Sequence, residues 1–425
     1  MRKKHTLSYG RLFLVILIIG LILTVSIMVG VNLKEKLFDN QPKDNANNEQ
    51  NTDINVVGDN DKDSNKDNDS NVDEPNNVED INITMTAVGD IMFHPKEIWG
   101  GYDEETDTFD YKPYFQYVKP ILEKADIAVG NFEGTTCGND LYKYQGYPLF
   151  NAPNEALDAL KDAGFDVLST INNHSLDTRK TGVIRTIERM DERGIVHVGT
   201  YKEKPESRIL MQNVKGIKIA FLAYTELLNG LEVVMTDEDL DTMINKIDKE
   251  KIKQDIADAK KNEADLIVMI IHWGNEYNRK PNQMQQELAK FLLDEGVNII
   301  LGSHPHVIQD CSGVMHEGKK AFIAYSTGNF ISNQRIEEEL VSQTEDGIII
   351  NFNIKKDGKT GETTLETVEY TPTWVYREKL AGNKYTYRIL PVMDFIESDE
   401  FSENSIKRMK RSLEDTMSKL DTNFN

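Results

Sequence analysis

Cysteine is nearly absent from this chain. Cys137 and Cys311 are the only two, and they lie far apart in sequence. That excludes a disulfide framework and a cysteine-type zinc pattern. Two arrangements stay open: the two join if the fold brings them together, or each is a buried free thiol. Basic residues are also in short supply. Lys and Arg number 49 against 71 Asp and Glu, a net charge of 49 − 71 = −22. A balance of that sign excludes nucleic acid and anionic lipid as the main partner. No internal repeat is found. The apolar fraction, by contrast, is 39%, with 16 Phe and 16 Tyr. That is enough for a sizeable core, in a chain whose length fits two or three domains or one large α/β domain with tails.

One apolar run is long. After Arg2, Lys3, Lys4 and Arg11, residues 12–31 carry no charge. As a helix this stretch reaches about 30 Å, the depth of a bilayer core. It exceeds the apolar part of a cleaved signal peptide, and no small-x-small cleavage site or lipidation cysteine follows it. The expectation is a single uncleaved transmembrane anchor. The basic tail 1–11 then stays in the cytoplasm and the bulk of the chain lies outside, as the positive-inside rule requires. Residues 32–80 form an Asn/Asp-rich linker. Within it, 40–80 hold 12 acids and 3 lysines, a charge of 3 − 12 = −9, with too few apolar positions to fold. Asp59-Asn60-Asp61-Lys62-Asp63 looks like part of a calcium loop but lacks the Gly and terminal Glu at the required offsets.

From residue 81 the pattern becomes alternating strand and helix. Strands are expected at 83–88, 126–129, 167–170, 195–198, 217–223, 266–271, 297–301, 321–325, 347–354 and 364–370, the last two as a hairpin. Helices are expected at 113–124, at 154–163 with Asn154 as cap, and at 178–193, 249–262, 283–295 and 405–420. This divides the chain into an α/β domain over 81–400 and a C-terminal amphipathic helix within 401–425.

In open α/β sheets, ligands bind beyond the carboxyl ends of the strands. Six expected strands run into polar clusters here. They are Gly89-Asp90-Ile91-Met92, Gly130-Asn131-Phe132-Glu133-Gly134, Asn172-Asn173-His174, His272-Trp273-Gly274-Asn275-Glu276, Gly302-Ser303-His304-Pro305-His306 and Ser326-Thr327-Gly328-Asn329-Phe330. Extended backbone would send His304 and His306 to opposite sides, but Gly302 and Pro305 mark a turn in which both rings can converge. Asp90 and Glu133 add carboxylates, Asn173 an amide oxygen and His272 a third imidazole. Mixed nitrogen and oxygen donors suit Mn, Fe or Zn, as one ion or as two sharing a carboxylate. His174 is the candidate for protonating a leaving group. Asn131, Asn172, Glu276 and Asn329 are candidates for contacting substrate. Glu276 alternatively orients a ligand imidazole, and Asn172 alternatively closes a turn.

The six motifs, in this order, resemble the signature of CapA-type proteins. That family is associated with poly-γ-glutamate capsule synthesis and export and is a branch of the calcineurin-like metallophosphoesterase fold. The resemblance covers roughly residues 82–332. It implies an α/β fold, a two-sheet αββα sandwich of metallophosphoesterase type, preceded here by a single N-terminal transmembrane helix. It implies one metal site of Glu133, Asn173, His272 and His304, and another of Asp90, Glu133 and His306. The superfamily carries a His two residues after the first Asp. Here Met92 stands there, a poor donor to hard divalent ions, with His94 as a substitute. The setting implied is a single-pass cell-membrane protein working outside the cytoplasm. It is either a metal-dependent hydrolase or transferase acting on a phosphate ester or amide, or a non-catalytic polymer-binding or scaffold subunit. The partners implied are the anionic polyglutamate polymer and membrane-embedded capsule synthase or export subunits.

Overall fold

Alternation along the strands divides the apolar residues between two faces, and that division makes the layers. In the computed structural model, which describes residues 79–421, Ile83, Met85 and Ala87 point into one interior and Val88 and Ile91 into another. Along Leu266–His272, Leu266, Val268 and Ile270 share the first interior, while Ile267, Met269 and Ile271 face a third. The first interior lies between two sheets. The second takes Leu157 and Leu160 from the helix Glu155–Ala163. The third takes Ile252 and Ile256 from Lys249–Lys261 and Leu288 and Leu292 from Gln283–Asp294. The order helix, sheet, sheet, helix is the expected αββα layering.

Both sheets are mixed. Across the first, the strands lie in the order Tyr385–Pro391, Thr363–Lys379, Asp346–Lys356, Ile81–Ile91, Ile127–Phe132, Val167–Ser169, Val196–Val198, with Asn329–Ile331 also paired to Ile81–Ile91. The second runs Cys311–His316, Lys319–Ala324, Ile299–Ser303, Leu266–His272, Ile217–Thr225, Leu210–Val214. The strands that lead into the polar clusters are parallel to one another within each sheet. Parallel neighbours bring their carboxyl ends to one edge, so clusters far apart in sequence can meet there.

Several local expectations are corrected. The helix expected at 113–124 is two short pieces, Lys112–Phe115 and Lys119–Leu122. Pro120 explains the break, since it offers no N–H and its ring clashes with the preceding turn. Asn154 precedes Glu155–Ala163 but makes no side-chain cap. Its Oδ1 accepts from Arg189 Nε instead, at 2.5 Å. Three edge strands of the two large sheets had no expectation: Leu210–Val214, Cys311–His316 and Tyr385–Pro391. Each lies at or next to a sheet edge, where a half-exposed strand needs little apolar sequence. The final helix, Glu403–Met417, belongs to the same compact unit as the sheets. Its Met409 packs with Trp374, Leu390 and Val392, and beyond it Cys311 N donates to Lys419 O at 2.8 Å. The expected anchor 12–31 and all of the linker before Glu79 lie outside the described residues. Among the described residues no helix is long and apolar enough to cross a membrane.

Cys137 and Cys311 are both buried and free, so the pairing does not form. Burial raises both thiols above their ordinary range, and the thiolate is the reactive form. A thiol-reagent titration should therefore find both cysteines after denaturation and neither reacting rapidly in the native protein. A rapid native reaction of Cys311 would contradict its placement.

Candidate metal centre

The centre begins with a row of three polar residues across the first sheet. Asp90 pairs in register with Asn131 on one side and Asn329 on the other. Close approach makes this possible: a Cβ on Gly89 would lie 2.0 Å from the Gly328 carbonyl oxygen, the atom that accepts from Asp90 N at 3.0 Å. Asp90 is fully buried. Its Oδ1 accepts from Asn131 Nδ2 at 2.8 Å, and its Oδ2 lies 3.1 Å from His306 Nδ1. Glu133 follows the strand Ile127–Phe132 directly, and its N–H donates to Ile91 O at 3.0 Å.

The second sheet supplies the imidazoles. His272 ends its strand in register with Ser303. Its Nδ1 lies 2.9 Å from Ser303 Oγ and its Nε2 lies 2.9 Å from Asn173 Oδ1. The expected turn is present in a strained form. His304 has φ 94° and His306 φ 55°, a left-handed backbone that side-chain-bearing residues take at a cost. The strain lets both rings face the carboxylates. Ring centroids of His272 and His304 are 4.7 Å apart, and those of His304 and His306 5.9 Å apart. Glu133 Oε1 lies 3.8 Å from His272 Nε2 and 3.7 Å from His306 Nε2.

Three overlapping groups place one donor atom from each member within 4.8 Å of the others: Glu133 with His272 and His304; Asp90 with Glu133 and His306; and Glu276 with His304 and His306. Both oxygens of Glu133 and Nδ1 of His304 are buried without a hydrogen-bond partner. Unsatisfied buried donors and acceptors are rare and costly, and a divalent cation would satisfy these. The electrostatics agree. Burial pushes Glu133 well above the usual carboxylate range. Burial, with His306 beside it, pushes His304 down to about 3, and His272 is also lowered by burial and by its neighbouring imidazoles. Burial works against charge on His306, but Glu133 and Asp90 hold it up at about 9. The pocket is short of positive charge, and its donor set fits a divalent ion.

The remaining candidates divide. His174 is at the site: its Nδ1 lies 2.7 Å from Asp177 Oδ2, and its ring packs edge-on to Phe150 at 4.6 Å. Asn172 is not placed to meet a substrate. It is buried, its Nδ2 donates to Phe132 O at 2.9 Å, and its Oδ1 accepts from His174 N at 3.1 Å, so it closes the turn. Asn329 is likewise buried; its Oδ1 lies 3.1 Å from His306 Nδ1, and its Nδ2 donates to Gln334 Oε1 and Thr344 O. Asn131 holds Asp90. These three asparagines shape the centre from behind rather than line a substrate path. Glu276 is exposed and beside the imidazoles. His94 does not stand in for Met92: it sits 3.3 Å from Glu97 Oε2 at the start of the helix Pro95–Gly100 and belongs to none of the three donor groups. Asp177 had no expected role. Its signal was the three-residue spacing from His174, one turn of chain. Phe150 and Ser303 carried no usable signal.

Fold and centre together define the class: an α/β protein with two mixed sheets whose strand ends converge on a carboxylate–imidazole centre suited to a divalent ion. The family model described as bacterial capsule synthesis protein PGA_cap matches residues 84–334, and the chain belongs to that family. It is 34% identical over 288 residues to the capsule biosynthesis protein CapA of Bacillus anthracis, covering 65% of each chain. It is 32% identical over 305 residues to the PGA biosynthesis protein CapA of Bacillus subtilis (strain 168), covering 70% of this chain and 75% of that one. Among solved structures, the NAD nucleotidase NadN of Haemophilus influenzae superposes with a TM-score of 0.43 at 11% identity, over 81% of this chain and 64% of that one. The calcineurin-like phosphoesterase YfkN of Bacillus subtilis superposes with a TM-score of 0.40 at 15% identity, over 80% and 99%.

Proposed function

We propose that this protein takes part in the synthesis or export of a poly-γ-glutamate capsule outside the cytoplasm, with the imidazole–carboxylate cleft as a metal-dependent site acting on a phosphate ester or an amide. The observation that carries the reading is the buried, unsatisfied donor set of Glu133 and His304 in a chain of the capsule-synthesis family. The names of the two Bacillus relatives support the setting. Residues 12–31 would anchor the chain in the membrane beside synthase or export subunits.

Glu133, Asn173, His272, His304 and His306 would hold the ion, of which Mn, Fe and Zn suit the donors. Once bound, it supplies Lewis acidity toward a phosphoryl or carbonyl oxygen. His174 delivers a proton to the leaving group. Asp177 fixes its Nδ1, leaving Nε2 without a hydrogen-bond partner among the described residues. Arg179, at φ 63°, donates to the backbone carbonyls of Leu176 and Asp177, at 3.3 Å, and to no side chain among the described residues. A guanidinium not spent on a carboxylate, two residues from Asp177, suits an anionic substrate. The test is turnover of an aryl phosphodiester and of γ-linked polyglutamate by the metal-loaded protein. His174→Ala should keep its metal and lose about 10²–10⁴-fold in rate. Unchanged turnover would remove His174 from the chemistry.

A second reading, a non-catalytic polymer-binding or scaffold subunit, is favoured by Met92. It is buried, with its sulfur 4.0 Å from Ser332 Oγ, where a hard donor would otherwise complete a second ion site. Absence of turnover on both substrates, with metal bound, would select it.

A further inference from the structure

The open side of the centre departs from the arrangement implied by resemblance. Both oxygens of Asp90 already accept hydrogen bonds. Oδ1 accepts from Asn131, and Oδ2 accepts from the His304 N–H at 3.3 Å and meets His306 Nδ1 at 3.1 Å. A carboxylate receiving that many donors is placed as the outer partner of a ligand histidine, setting its ring orientation. His306 Nδ1 is engaged on the same side by Asn329 Oδ1, which leaves Nε2 toward Glu133. Asp90 does lie within 4.8 Å of donor atoms of Glu133 and His306, but both of its oxygens already accept hydrogen bonds from other groups. Met92 adds no hard donor.

Glu276 stands on the opposite, solvent side. One carboxylate oxygen lies within 4.8 Å of donor nitrogens of both His304 and His306. Its position is set by backbone. Gly274 at φ 92° and Tyr277 at φ 61° turn the chain after His272. Tyr277 N donates to Pro305 O at 2.8 Å, and Gly274 N to Glu226 Oε2 at 2.9 Å. The first of these bonds ties the Glu276 loop directly to the His304–His306 turn. A bare carboxylate at the mouth would repel an anionic substrate; as a ligand its charge is neutralised by the ion.

We propose that the centre holds one ion rather than two, that Glu276 joins Glu133, Asn173, His272, His304 and His306 around it from the solvent side, and that Asp90 is a positioning residue for His306. This rests on the metal reading above. The test loads the purified full chain with Mn²⁺ and measures ions per chain, affinity and the electron paramagnetic resonance spectrum. One ion per chain with an uncoupled spectrum is expected. Glu276→Gln, a change at an exposed side chain, should weaken Mn²⁺ binding more than about tenfold. Asp90→Asn should keep one ion, with affinity lowered by about 10–100-fold and an altered spectrum. Two ions with an exchange-coupled spectrum, unchanged affinity in Glu276→Gln, or complete loss of the ion in Asp90→Asn would each overturn the proposal. A wild-type protein that binds no ion at all would instead overturn the metal reading beneath it.

Discussion

His304→Ala is expected to yield a folded protein stripped of its ion. His304 belongs to two of the three donor groups, and its Nδ1 is a buried atom with no other partner. Its loss should weaken divalent-ion binding more than about 100-fold, beyond the range seen when only an outer partner is removed. Metal analysis after gel filtration, with calorimetric titration of Zn²⁺ or Mn²⁺, checks this. Wild-type affinity in the variant would remove the centre as drawn. The same variant separates the two functional readings in cells: a metal-free protein that still supports capsule formation leaves only the scaffold role. Stability should move the other way from binding. At φ 94°, any side chain at 304 costs about 1–2 kcal/mol relative to glycine. In urea unfolding of the metal-free proteins, His304→Gly should therefore be more stable than His304→Ala by about that amount.

The largest expected loss of stability comes from Arg408→Ala. Glu345 is fully buried, ion-paired to Arg408 and hydrogen-bonded to Trp374 Nε1 at 2.9 Å. Arg411 Nη2 stands off at 3.8 Å. Removing Arg408 leaves a buried carboxylate with its main partner gone, a loss of about 3–5 kcal/mol. Arg408 lies on the helix Glu403–Met417, so this pair also holds that helix on the first sheet. A drop below about 1 kcal/mol in urea unfolding would place the pair among weak surface interactions. The loss should depend on pH. Burial acts to raise Glu337, but Arg408 and Arg335 overcome it and hold the carboxyl at about 2. A carboxylate held below its ordinary 4.5 stabilises the fold above pH 4.5 and loses that contribution as pH falls toward about 2. The gap between wild type and Arg408→Ala should accordingly narrow across that window. A gap constant in pH would take Glu337 out of the account.

Much of this is legible in the sequence itself. The buried strands are, because Leu266 to Ile271 is an unbroken apolar run that only a covered strand accommodates. The helix Gln283–Asp294 is, because Met284, Leu288, Phe291 and Leu292 fall on one face. The candidate donor types are also legible, because six strand-end clusters carry the carboxylates, amides and imidazoles together. The roles within the cluster are not. Asn131, Asn172 and Asn329 have the same chemistry as Asn173, and only their partners show that they work from behind. Met92 could be seen as a missing donor, yet nothing in its neighbourhood pointed to Glu276, a residue on another sheet's loop.

The chain's own pattern determined which residues become strands and helices, that they alternate as in an α/β protein, and that acids, amides and imidazoles gather at strand ends. Those are consequences of short-range periodicity and of burying apolar faces. Tertiary structure alone decided which of the gathered groups face one another. That depends on the register between strands, on left-handed turns at His304, His306 and Tyr277, and on which lone pairs are already taken. Each of these is a relation between residues more than thirty positions apart, or a backbone strain paid for by the surrounding packing, and neither is set by local periodicity.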